Sequence, residues 1–153
     1  QMLTIILMLI GGSPGSTAGG MKTTTLAVLT ATAVSVFRRN ENPELFKRRI
    51  APETVANAAS ILMMYLSLCL TGAFLISRIE ELPMMACMFE TASAVGTVGL
   101  SFGITPGLGS ISRIILIILM YLGRVGGLTL IYAALSGHRI RFGKYPLEKI
   151  TVG

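Results

Sequence analysis

The chain has 153 residues, of which 52% are hydrophobic and only 13% charged, and its mean hydropathy is +0.73. Soluble domains carry about 25% charged residues, so this composition excludes the ordinary soluble class and makes lipid the main solvent. The formal net charge of +6 does not point to nucleic acid, because the basic residues fall in two clusters between apolar stretches. Basic clusters placed in this way mark the cytoplasmic ends of membrane spans.

The first apolar segment, Met2–Ile10, is too short to cross a bilayer, which takes about 20 helical residues. A Gly/Ser/Thr-rich stretch follows at residues 11–20, and Thr23–Phe37 is apolar again but also short. Joined, the two halves make one span broken in its middle. Unwound backbone at membrane depth must be buried in protein or line a water-filled cavity, and helix halves that meet there offer free N–H and carbonyl groups to ions. Residues 11–22 are therefore a functional candidate on physical grounds. Because the chain opens at Gln1 inside an apolar run, further residues are expected before it.

Arg38–Pro52 reads as a polar loop holding the first basic cluster, Arg38, Arg39, Lys47, Arg48 and Arg49. Thr54–Ser77 has no charged residue and the length of one full span, with Pro52-Glu53-Thr54 as its helix start. Arg78, Glu80 and Glu81 mark the opposite surface. Pro83 then opens a shorter apolar segment, Met84–Ala94, that reaches about halfway across a bilayer before the turn Val95–Ser101. Phe102–Gly109 returns the chain to the surface, and Ile114–Ser136 is the last full span, with Arg124 near its middle. The second basic cluster, Arg139, Arg141, Lys144 and Lys149 beside His138, ends the chain. With both clusters cytoplasmic, every segment fits without a spare crossing, and the C-terminus is cytoplasmic.

Three places carry chemistry. Thr97-Val98-Gly99 has the composition of a filter whose backbone carbonyls replace a potassium ion's hydration shell, with glycine where φ must be positive. The alternative is an ordinary tight loop. Residues 15–23 approach a phosphate-binding loop, but Met21 separates Gly20 from Lys22, and the flanks are apolar helices rather than a strand. Arg124 inside a span would cost about 2.5–3.5 kcal/mol unless it faces protein or water, so it is expected at the pore, where it could bond free carbonyls of the broken span; the alternative is a place near the interface from which it snorkels to water. Lys22 reads as a gate charge or an anchor, and Glu90 as a group that hydrogen-bonds behind the filter. Cys69 and Cys87 lie in apolar segments with no metal or disulfide spacing, and no cofactor is expected.

These stretches resemble the Trk/Ktr/HKT superfamily of potassium transporters, and its Ktr-type membrane subunit most closely. The match rests on Gly11–Thr25 (GGSPGSTAGGMKTTT), Phe89–Ser101 (FETASAVGTVGLS), Gly123–Leu130 (GRVGGLTL) and the tail Tyr145–Gly153. The resemblance implies an all-α integral membrane protein of potassium-channel-like membrane helix–pore loop–membrane helix repeats. Residues 1–37 would be the second half of a third repeat, 38–52 a cytoplasmic loop, 53–136 the fourth repeat and 137–153 a cytoplasmic tail.

Thr97, Val98, Gly99 and Leu100 would be the fourth filter segment, holding K+ on its carbonyls. Gly11, Gly12, Ser13, Gly15, Ser16, Thr17, Ala18, Gly19, Gly20 and Lys22 would belong to an intramembrane gating loop that Arg124 contacts, and Glu90 would support the filter. The implied partners are membrane lipid, a second copy of the subunit and a cytosolic ring of nucleotide-binding regulatory subunits. Potassium would be the transported ion, with coupling to sodium left open. A membrane-bound enzyme lacks a nucleophile–base pair or a His/Asp/Glu cluster here. A non-transporting assembly protein would not need a broken span, a half-length helix and a buried arginine together.

Overall fold

A computed structural model describes residues 1–39, 43–45 and 48–126. The elements in chain order are α1 (Met2–Ile10), α2 (Thr23–Phe37), β1 (Glu44–Leu45), β2 (Arg48–Arg49), α3 (Pro52–Glu80), α4 (Met84–Gly96), a 3-10 turn (Thr105–Gly107) and α5 (Ser110–Val125). Among the described residues, α3 is the one helix long and apolar enough to cross a membrane. Its 29 residues extend about 43 Å, more than the roughly 30 Å of a hydrocarbon core. Pro52 occupies its first turn, where the missing N–H costs nothing, and Glu53 adds a negative charge at the positive end of the helix dipole.

Helices α3, α4 and α5 pack on one another, and α1 packs against α4. The main core joins Tyr65, Ala73 and Ile76 of α3, Cys87, Ala94 and Val95 of α4, and Leu116 and Leu119 of α5. A smaller cluster joins Ile5 and Met8 of α1 to Cys69 and Ala92. Small residues set the spacing. A Cβ at Gly72 would lie 2.7 Å from Leu119 Cδ1 and 3.3 Å from Thr91 Cγ2, so the three helices interlock at that point. A Cβ at Gly123 would overlap the Val95 carbonyl, so α5 touches the α4 backbone directly. Close backbone contact of this kind is how membrane helices gain packing energy where lipid offers no hydrophobic drive. Tyr65 Oη donates to the Gly123 carbonyl at 3.3 Å, fixing α3 at the same level.

Three local features differ from the sequence reading. The basic segment between α2 and α3 is not a plain loop: β1 and β2 pair antiparallel, with Glu44 opposite Arg49, and the hairpin leans on α2. Helix α4 continues two residues beyond Ala94 to Gly96. Its end is a Schellman cap, in which Thr97 N–H bonds the Ala94 carbonyl and Val98 N–H the Ser93 carbonyl. Helix α5 begins at Ser110 and stops at Val125, because Gly126 turns to φ 88 and ψ 140, which no α-helix continues. Arg124 thus sits in the last turn of a 16-residue helix. Lys47, Gly127, the second half of the expected last span, the cluster around His138 and the tail lie outside the described residues.

Glu80 joins the far ends of α3 and α5, beyond the uncharged stretch of α3. Its Oε1 accepts from Gly109 N–H at 2.8 Å and from Ser112 Oγ at 2.6 Å, at the N-terminus of α5. The Ser112 hydroxyl, the Gly109 amide and then the Arg113 charge hold this carboxyl below its ordinary range. A depressed carboxyl contributes stability that is complete above the ordinary carboxylate range and disappears as pH falls through the lowered value. In detergent, the wild-type protein should melt above Glu80→Gln at neutral pH. That margin should shrink under acid in a thermal unfolding series. Gly123→Val should lower stability by about 1–3 kcal/mol, because the added carbons drive α5 off α4; the same thermal assay measures it.

Candidate functional site

The segment between α1 and α2 is an ordered loop that folds back on itself and on α4. Helix ends leave orphan carbonyls and amides, and a buried loop must satisfy its own as well. Met21 N–H bonds the Leu9 carbonyl of α1 at 3.2 Å, and Thr23 N–H bonds the Gly12 carbonyl at 3.1 Å. Within the loop, Ser16 N–H reaches the Ser13 carbonyl at 3.0 Å, and Ala18 N–H reaches Ser16 Oγ at 3.1 Å. Lys22 Nζ turns inward to the carbonyls of Ala18 and Ser16, the latter at 3.3 Å. The lysine is therefore a staple across its own loop. Arg124, at the end of α5, donates from Nη1 to the Thr17 carbonyl.

The loop meets the C-terminal end of α4. Gly19 N–H donates to Thr97 Oγ1 at 2.8 Å, linking residues 78 positions apart. The fit is bare backbone against backbone. A Cβ on Gly19 would overlap the Thr97 hydroxyl, one on Gly20 would lie 3.3 Å from Gly96 Cα, and one on Gly96 would lie 2.5 Å from the Met8 carbonyl. The Met21 side chain is buried in the main core, so an apolar plug anchors the loop from within. An open cleft of about 520 Å3 lies beside this junction, lined by Met8 of α1, Gly12 and Ala18 of the loop, and Thr97, Val98 and Leu100 after α4.

Residues 97–100 leave helix geometry abruptly. Thr97 holds φ 50, a left-handed conformation that is a genuine outlier for a β-branched residue. Gly99 holds φ 82 with open space around it, so its conformation rather than crowding requires glycine. Val98, Gly99 and Leu100 are all exposed. Behind them Glu90 is buried at 5% exposure. Its Oε1 accepts from Ser101 Oγ at 2.7 Å and Phe102 N–H at 2.8 Å, and its Oε2 from Thr105 Oγ1 at 2.8 Å. Phe89 packs on Phe102 with ring centroids 5.6 Å apart. One carboxylate of α4 thus pins the irregular segment that carries the chain away from residues 97–100.

The structure brings the loop, Lys22, Arg124 and Thr97 into one assembly and puts Glu90 behind it. Sequence reasoning missed Met21 as an anchor, Thr97 as the loop's docking point, and Ser101 and Thr105 as Glu90's partners. A lone methionine inside a Gly/Ser/Thr run was the available signal for the first. The others depend on contacts between distant segments. Glu90→Ala should destabilise the protein by about 1–3 kcal/mol by stranding three donors. It should also speed hydrogen exchange at the Phe102 amide, measured by mass spectrometry.

The family model for TrkH, described as a cation transport protein, matches residues 1–139. The chain is 40% identical over 158 aligned residues to the potassium/sodium uptake protein NtpJ of Enterococcus hirae, covering 99% of this chain and 35% of that protein. It is 34% identical to the Ktr system potassium uptake protein B of Bacillus subtilis, covering 99% of this chain and 34% of that one. The Ktr system potassium uptake protein D of Bacillus subtilis is 33% identical, covering 96% of this chain and 33% of that one. The chain thus spans about a third of the length of these curated relatives, which are named for ion uptake and not for catalysis. On the match across residues 1–139, this chain belongs to the TrkH family of cation transport proteins.

Proposed function

We propose that this chain supplies a filter segment and the gate of a potassium uptake path across the cytoplasmic membrane, as part of the translocating subunit of a Ktr/Trk-type system. Carbonyls of Thr97, Val98, Gly99 and Leu100 take the place of potassium's hydration shell, and the loop of residues 11–22 closes the path beneath them. Arg124 and Lys22 hold that loop by its carbonyls, and Glu90 holds the filter from behind. The observation that carries the reading is the seating of the loop on Thr97 beside a cleft that both segments line. A loop between two short apolar helices, folded onto the end of a half-length helix, is the arrangement that irregular backbone at membrane depth requires.

The same reading makes α1 and α2 the halves of one broken span, and α3, α4 and α5 a membrane–pore–membrane repeat. The basic segment Arg38–Pro52 and the C-terminal tail then face the cytoplasm. The subunit pairs with a second copy and sits on a cytosolic ring of nucleotide-binding regulatory subunits, surrounded by lipid. The names of the relatives support potassium as cargo, with sodium either coupled to it or also carried.

Potassium uptake by the full-length protein in potassium-deficient cells, with and without sodium, tests this reading. Wild type should restore uptake. Gly99→Ser should admit sodium relative to potassium, because a side chain at φ 82 forces the carbonyls on either side to turn. Undiminished potassium preference in that variant would remove residues 97–100 from the filter.

A further inference from the structure

We propose that the Thr97 side chain is the latch of the loop: its hydroxyl, accepting the Gly19 amide, holds residues 11–22 closed against the end of α4. This deepens the proposed function and rests on it for the meaning of closed. Three observations converge on the pair. Among the described residues, the Gly19–Thr97 bond, at 2.8 Å, is the one hydrogen bond that ties the loop to the segment after α4. The Lys22 bonds are internal to the loop, and Arg124 holds the Thr17 carbonyl from another helix, so neither ties the loop to residues 97–100. Thr97 also keeps a left-handed backbone that a β-branched residue adopts at a cost. The Schellman cap aims its hydroxyl at Gly19, and Gly19 lacks the Cβ that would collide with it. A serine, asparagine or glycine would take this backbone with less strain. Serine keeps the hydroxyl, whereas asparagine and glycine lose it.

A single neutral hydrogen bond suits a latch. It biases a two-state loop by a modest factor that a partner or an ion can overcome, whereas a buried ion pair would hold the loop shut. Arg124 then acts as the hinge-side tether, staying attached at Thr17 while the Gly19–Gly20 end lifts from Gly96 and Thr97.

The test uses the full-length protein with Ala18→Cys as a reporter, because Ala18 is half-buried on the cleft and next to Gly19. Cys69 and Cys87 are 1% and 0% exposed and stay silent, and any cysteine elsewhere in the full-length protein is first replaced by serine. Labelling by a water-soluble thiol reagent should quicken about 2- to 10-fold in Thr97→Val, which keeps the shape and loses the hydroxyl. It should quicken at least as much in Gly19→Ala, whose added Cβ meets the Thr97 side chain and holds the loop off it while residues 97–100 keep their identity. It should return toward the parent rate in Thr97→Ser. Basal potassium leak should rise in Gly19→Ala with the potassium-to-sodium ratio unchanged. Parent-like labelling in both Thr97→Val and Gly19→Ala, with uptake intact, overturns the latch and leaves the transport reading standing. Faster labelling in a protein that moves no potassium upholds the latch and overturns the transport reading.

Discussion

The arrangement depends on two stretches of naked backbone touching. Gly19 and Gly20 lie on Gly96 and Thr97, and Gly96 lies on the Met8 carbonyl. Any side chain at these points would hold the loop off α4 and open a gap that Met21, from its place in the core, could not close. The same device recurs at the neighbouring residue of α4, where Gly123 lets α5 rest on the Val95 carbonyl. Helix α4 is therefore gripped by α1 and the loop on one side and by α3 and α5 on the other. From Glu90 to Gly96 every residue is buried.

Bringing a polar loop into an apolar setting creates a surplus of carbonyls, and the chain answers it with two cations. Lys22 takes those of Ser16 and Ala18, and Arg124 takes that of Thr17 between them. Three successive regions of loop backbone are thus bound to positive charge without a carboxylate nearby to neutralise it among the contacts described. The positive charges do double duty: they satisfy backbone and they raise the potential at the mouth of the cleft. Glu90 performs the complementary task on the far side of residues 97–100, where donors are in surplus and a carboxylate collects three of them.

Much of this was legible before any coordinates. The limits of α1 and α2 follow from where apolar residues stop, and the interruption between them follows from Gly11–Gly20. The start of α3 is written in Pro52 and Glu53. The contact of Arg124 with loop carbonyls follows from the cost of leaving a guanidinium unpaired in lipid. What was not legible depends on tertiary context or on a single dihedral. Helicity across Val95–Gly96 comes from a cap formed by Thr97, a residue whose propensity argues against that conformation. The end of α5 at Val125 is set by Gly126, in a segment whose hydropathy gives no sign of a stop. The hairpin at Glu44–Arg49 forms where neither alternation nor a strong turn signal marks it.

The absence of any free face on the second half of α4 governs how sequence can drift in this region. Each added methyl between positions 90 and 96 meets packed atoms, and each lost one leaves a void that lipid cannot reach to fill. Such packing favours exchanges of nearly equal volume. The outer face of α5, with Ile111, Ile114, Ile117, Ile118 and Tyr121 all exposed, is free of close packing within this chain. Two helices of similar length in one bundle thus carry opposite constraints within this chain, shape for the one and apolar character for the other.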